Sequence, residues 1–213
     1  MATNVLIVAA HPDDEVLGAG GTLLRHQAAG DNIFILILAN GESSRDAGVE
    51  VEKRLGQAHQ VAKRLDAKLF LEDFPDNAFD SVPLLRIAKA VEKAVAAAKP
   101  TAVYTHHPYD LNIDHRLAFQ AVLTACRPQP DFPVEKILVF ETLSSTEWQI
   151  KDGANIFCPR YYVDVSDLID RKLELLKIYN DELRVYPHPR SLEGVKVLAS
   201  YRGMEVGMKF AEA

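Results

Sequence analysis

The chain has 213 residues, of which 48% are hydrophobic and 25% charged, and carries a net charge of -6. That length suits a single α/β core, and the acidic balance excludes a phosphate-backbone binder, which needs a basic face. Two cysteines, Cys126 and Cys158, cannot supply a disulfide framework.

The N-terminal segment has no basic stretch ahead of its short apolar run, and no segment approaches the ~20 apolar residues of a membrane span, so the expectation is a cytoplasmic protein. Asn4–Ala10 is a continuous run of apolar β-formers, as expected of a strand buried on both faces. Gly18–Ala29 reads as a helix and Asn32–Ala39 as a second buried strand. Val51–Leu65 is helical, with Leu55, Ala58, Ala62 and Leu65 on one face, and Lys68–Leu71 is a short third strand. Over Pro83–Lys99, Leu84, Ile87, Ala88, Val91, Val95 and Ala98 recur at helical spacing, and Pro100 stops the helix. Thr101–Thr105 is a fourth strand, Asp114–Cys126 a helix and Glu135–Thr142 a fifth strand. Ile156–Val165 reads as a further strand, with Asp167–Tyr179 and Leu192–Val206 as closing helices. This alternation predicts βαβ units and a mainly parallel sheet. Ligands of such sheets bind at the carboxyl ends of the strands. His11–Glu15, Gly41–Arg45 and His106–His115 follow the first, second and fourth strands.

The segment His11-Pro12-Asp13-Asp14-Glu15 sets an imidazole beside three carboxylates. Adjacent acids repel unless a positive charge lies between them, and a divalent metal supplies one. Helix capping accounts for one or two of the acids, but not for the histidine fixed against Pro12. A second cluster comprises His106-His107-Pro108 and Asp110-Leu111-Asn112-Ile113-Asp114-His115-Arg116. The adjacent His106 and His107 diverge, so at most one faces the site. His115 alone reads equally as a packed or capping histidine. Beside the first motif it completes a set of His11, one aspartate of the Asp13/Asp14 pair, and His115. Two histidines and one carboxylate, with a position left for water, make a hydrolytic zinc set. The other aspartate is then free to take a proton from the attacking water, which describes metal-assisted amide hydrolysis.

These motifs, Ala-Ala-His-Pro-Asp-Asp-Glu and Asn-Ile-Asp-His-Arg, resemble those of the LmbE-like (PIG-L) zinc N-deacetylases. The resemblance extends through Arg54 with Ala62 and Leu65, Phe74-Pro75-Asp76-Asn77, and Tyr201-Arg202-Gly203 with Ala211-Glu212. It implies one domain over residues 1–213 with a Rossmann-like, three-layer α/β/α fold. It implies Zn2+ held by His11, Asp14 and His115, with Asp13 as general base and Arg54 in contact with substrate. It also implies amino-sugar substrates of the N-acetylglucosamine type (sugar nucleotides, glycolipids or glycosides) and a homo-oligomer. One departure stands out. Many relatives carry histidine as a proposed general acid where this chain has Asn112, and an amide cannot deliver a proton. His188, flanked by Pro187 and Pro189, is the candidate proton donor, with His107 and Asp13 itself as alternatives. Asn112, Arg45 and Trp148 are candidate substrate contacts. A guanidinium suits a phosphate or carboxylate, and an indole face suits a sugar ring.

Three other readings fit parts of the sequence. Gly18-Ala19-Gly20-Gly21 hints at a dinucleotide-binding oxidoreductase, but the full G-x-G-x-x-G is absent and acids lie where a pyrophosphate would sit. A metal-dependent phosphoesterase would favour a more carboxylate-rich site. A non-catalytic carbohydrate-binding relative would have no need of Asp13 beside the metal.

Overall fold

In the computed structural model, which describes residues 2–39, 41, 49–130, 132 and 134–213, five strands form one parallel sheet. These are β1 (Asn4–Ala9), β2 (Asn32–Ala39), β3 (Lys68–Phe74), β4 (Ala102–His106) and β5 (Lys136–Phe140), in the order β3-β2-β1-β4-β5. The helices are α1 (Asp14–Ala29), α2 (Val49–Leu65), α3 (Leu84–Ala98), α4 (Ile113–Ala125), α5 (Ile169–Leu176) and α6 (Leu192–Val206). The period-two geometry of a strand divides the central residues between two cores. Val5, Ile7 and Ala9 pack with side chains of α1, α2, α5 and α6, while Leu6 and Val8 pack with those of α3 and α4. Fully burying each such aliphatic side chain contributes about 1.5–3 kcal/mol. The layers are therefore α/β/α, as the alternating pattern requires.

The strand order places the site. The chain runs outward from β1 to β2 and β3, then returns to lay β4 on the opposite side of β1. The loops leaving β1 and β4 consequently part in opposite directions above the sheet, opening the crevice in which such folds bind ligands. His11–Asp14 leaves β1 and His107–Asn112 leaves β4.

Several expected elements are altered. α1 begins at Asp14 rather than Gly18, so the acidic motif itself opens the helix. The helix is broken at Ala19 (φ -141°, ψ 20°). A Cβ at Gly18 would overlap the Phe140 ring, and one at Gly21 would lie 2.6 Å from Val165 Cγ1. These glycines permit close packing and do not form a phosphate loop. The break frees backbone donors that Glu212 caps: it accepts from Gly21 N at 2.7 Å and Thr22 N at 2.6 Å. The buried Lys172 ammonium lies 2.6 Å from the same carboxylate and donates to Leu17 O at 2.9 Å.

The strand expected over Ile156–Val165 shrinks to β6 (Val163–Asp164), paired antiparallel with β7 (Ala211–Glu212). Pro159 has no N–H to donate to a ladder, and no strand of the sheet pairs with this segment. The first closing helix is shorter than expected and ends in a 3₁₀ turn at Lys177–Tyr179. Among the described residues, no helix is long and apolar enough to cross a membrane.

Candidate active site

β1 ends at the buried Ala9, and after the buried Ala10 the chain turns sharply at His11. The turn is closed by Asp14, whose Oδ2 accepts from His11 N at 2.9 Å. The same oxygen lies 3.2 Å from His11 Nδ1 and 3.3 Å from His115 Nε2. His11, Asp14 and His115 thus offer ligand atoms within 4.8 Å of one another, and all three are buried. Asp14 Oδ1 and both ring nitrogens of His115 have no well-aligned hydrogen-bond partner although no solvent reaches them. Orphaned buried polar atoms are rare, and a cation coordinated by two imidazoles and a carboxylate would satisfy Asp14 Oδ1 and His115 Nε2.

Each imidazole is backed by a carboxylate. His11 Nε2 lies 3.0 Å from Asp114 Oδ2 and 3.4 Å from Asp76 Oδ1, and Asp114 is itself fixed by the Phe79 amide at 3.0 Å. His115 Nδ1 lies 3.1 Å from Asp110 Oδ1, and Asp110 accepts from the hydroxyls of Ser145 and Thr146. Such carboxylates hold the proton on the ring nitrogen facing them and leave the other nitrogen available as a ligand. Burial works against a charged His11, yet its hydrogen bonds to Asp114 and Asp14 push its pKa up to about 10. Bonds from His115, Ser145 and Thr146 hold Asp110 down at about 2 against the opposing effect of burial.

Asp13 points elsewhere. Its φ of 116° turns consecutive carboxylates apart, so that Asp14 faces the imidazoles and Asp13 lies 3.0 Å from Arg190 Nη1. Burial pushes Asp13 up to about 6, against the pull of Arg190. Glu15 is fully buried; its Oε2 accepts from Asp13 N at 3.0 Å and its Oε1 from the Tyr179 hydroxyl at 2.6 Å. Arg54 pairs with Glu182 and lies 3.5 Å from Asp76, while Arg190 lies 3.5 Å from the other Glu182 oxygen. Two cations and three acids therefore form a chain of ion pairs, Asp13–Arg190–Glu182–Arg54–Asp76, along the crevice.

The remaining expected site residues are dispersed. His106 lies behind the ligand cluster, stacked on His115 at 3.9 Å, and its Nε2 accepts from Ala10 N at 2.9 Å. Burial and the neighbouring His115 push it down to about 3, so it is a neutral packing group. His107 turns towards Asn155 O, at 3.2 Å. Asn112 is the N-cap of α4: its Oδ1 accepts from Asp114 N at 2.8 Å, and its own amide donates to Asp110 at 2.9 Å. The His188 ring accepts from Arg190 N at 3.1 Å and meets Trp148 edge to face at 5.5 Å. Trp148 is 53% exposed, on the rim rather than within the cluster. Arg45 lies outside the described residues. Sequence reasoning missed Arg190, Tyr179 and the backing roles of Asp76, Asp110 and Asp114. A hint was present in the position of Arg190, directly after the proline-flanked His188.

The family description GlcNAc-PI de-N-acetylase (PIG-L) matches residues 6–126. An uncharacterised deacetylase of Escherichia coli is 29% identical over 148 residues, covering 67% of this chain and 75% of its own. The diacetylchitobiose deacetylase of Thermococcus kodakarensis is 26% identical over 224 residues, covering 98% of this chain and 81% of its own. A conserved Thermus thermophilus protein superposes with a TM-score of 0.79 at 26% identity, over 99% of this chain and 92% of its own.

Proposed function

The chain belongs to the PIG-L family of de-N-acetylases, and on that basis we propose that it is a zinc-dependent hydrolase removing an acetyl group from the nitrogen of an amino sugar. The observation that carries this reading is the pairing of a buried, partly orphaned N₂O donor set with a second, separately held aspartate. His11 Nδ1, Asp14 and His115 Nε2 are the zinc ligands, and the donor chemistry suits that ion. Zinc bound there supplies Lewis acidity, lowering the pKa of water towards ~7 and polarising the amide carbonyl.

Asp13 takes the proton from water as its oxygen adds to the carbonyl carbon. Arg190 stays cationic and orients the Asp13 carboxylate. As the C–N bond breaks, the electron pair stays on nitrogen, and Asp13 returns its proton there to release a primary amine and acetate. Asn112 is committed to capping α4 and has no proton to give. His188 accepts from Arg190 N through Nδ1 and so carries its proton on Nε2, which keeps it as the alternative donor to Asp13. Arg54 and Trp148 flank the crevice as contacts for the sugar and its conjugate, and Arg45 is retained as a third. The phosphoesterase reading has less support, because the donor set holds two nitrogens and one carboxylate. The oxidoreductase reading loses its basis with the packing role of Gly18 and Gly21. A carbohydrate-binding role alone leaves the Asp13 arrangement without a use.

The test is to measure zinc per chain and primary-amine release from a panel of N-acetylglucosamine conjugates, including sugar nucleotides and glycosides. One zinc and amine release from at least one conjugate are expected. Magnesium-dependent phosphate release, or a metal-free protein that binds sugars without turnover, would overturn the reading.

A further inference from the structure

We propose that Glu15, anchored by Tyr179, is a positioning residue that holds Asp13 in its active direction. The inference rests on the reading of Asp13 as general base. Asp13 has φ 116° and ψ -30°. Side chains rarely adopt that region, and holding one there is a strain that the surrounding contacts must offset. Glycine would relieve the strain but could not carry the carboxylate.

Three sets of contacts hold Asp13. Its carbonyl accepts from Val16 N at 3.0 Å and Leu17 N at 2.9 Å, the ordinary start of α1. Its carboxylate meets Arg190. Its amide is held by Glu15 Oε2 at 3.0 Å. This last bond fixes the peptide plane that relaxation to negative φ would rotate.

Glu15 has no other occupation at the site. It lies outside the ligand set, and its second oxygen is taken by the Tyr179 hydroxyl, which lies 164 residues away in sequence. Tyr179 is itself 1% exposed, so it cannot swing to follow a wandering carboxylate. Glu15 therefore reaches back two residues to an amide, as a capping side chain does, and is pinned from behind by the closing segment.

Glu15→Ala, Glu15→Gln and Tyr179→Phe test this. A misplacement of about 1 Å near the reacting atoms costs on the order of a hundredfold in rate. Glu15→Ala should lower kcat about 30-fold or more, with zinc content and KM near wild type. In its crystals, Asp13 should relax to negative φ. Glu15→Gln keeps an oxygen acceptor for the Asp13 amide and an NH₂ to meet Tyr179 Oη, and should restore kcat to within about fivefold. Wild-type kcat in Glu15→Ala, unchanged Asp13 φ, or a Glu15→Gln as slow as Glu15→Ala would overturn the proposal. Should Glu15→Ala not fold, Tyr179→Phe decides: a kcat loss of about threefold or more at constant KM is expected, and no loss refutes it. A wild type that turns over no N-acetyl sugar would count against the deacetylase reading, whereas the backbone angle in the crystals tests the positioning independently of any substrate.

Discussion

On the ligand side of the site, His11 and His115 are each backed by an aspartate from the same short stretch, Asp114 and Asp110. On the base side, Asp13 is held by Glu15, Tyr179 and Arg190, two of which come from the closing third of the chain. Every donor and its main carboxylate partner fall within residues 6–126, the span matched by the family. The groups that aim the base reach beyond it. Coordination needs correct atoms at one point, which two loops above adjacent strands can supply. A base must also face one direction, and here distant packing imposes that direction.

The difference is most sharply tested by breaking one side at a time. His115→Ala should lose zinc and activity together, since two remaining ligands rarely hold the ion; stoichiometric zinc on elemental analysis would dissolve the ligand side as drawn. Asp13→Asn should keep its zinc and lose about 10²–10⁴-fold in kcat, separating the two sides, and an undiminished rate would remove Asp13 from the chemistry. Zinc affinity should rise with pH. Asp114 and Asp14 hold a proton on His11 with a pKa of about 10, so the metal must displace it throughout neutral pH. Each proton released per ion gives about a tenfold gain in affinity per pH unit, and chelator competition showing a flat profile between pH 6 and 8 would argue against His11 as a ligand. Asp110→Asn should weaken zinc binding by about 10–100-fold, while kcat at saturating metal stays near wild type; unchanged affinity would mean that this carboxylate does not orient His115. The smallest effect is expected of Asn112→His. Loss of the α4 cap costs about 1 kcal/mol, a fall of roughly 2–4 °C in Tm for a chain of this size, with no loss of turnover. A collapse in activity would show that the Asn112 amide does more than cap.

The sheet was legible because buried parallel strands are unbroken apolar runs, and β1 and β2 are such runs. Their neighbours were less so. Pro159 and the lack of a pairing strand truncated Ile156–Val165, and α1 took in Asp14 and Glu15 of the acidic motif. His11, Asp14 and His115 could be grouped from two motifs because each follows a strand and the strands lie side by side. Arg190 and Tyr179 could not be grouped in that way. Their partners are 177 and 164 residues distant, and no periodicity or spacing in either segment encodes that meeting. Asn112, read from the sequence as a substrate contact, also has a local role, capping the helix that carries His115.

The break in α1 at Ala19, sealed by a carboxylate 190 residues further on, bears on how the molecule comes into being. A nascent chain emerging from the ribosome presents its complete set of donor side chains once residue 115 is out, long before Tyr179, Arg190 and Glu212 exist to brace the helix that starts at Asp14. Domains assemble from the N-terminus as they are made, so the loops that carry His11 and His115 are made before the segments that pack behind them. A fragment trimmed to residues 6–126 would keep His11, Asp14 and His115 and lose the segments that brace Asp13.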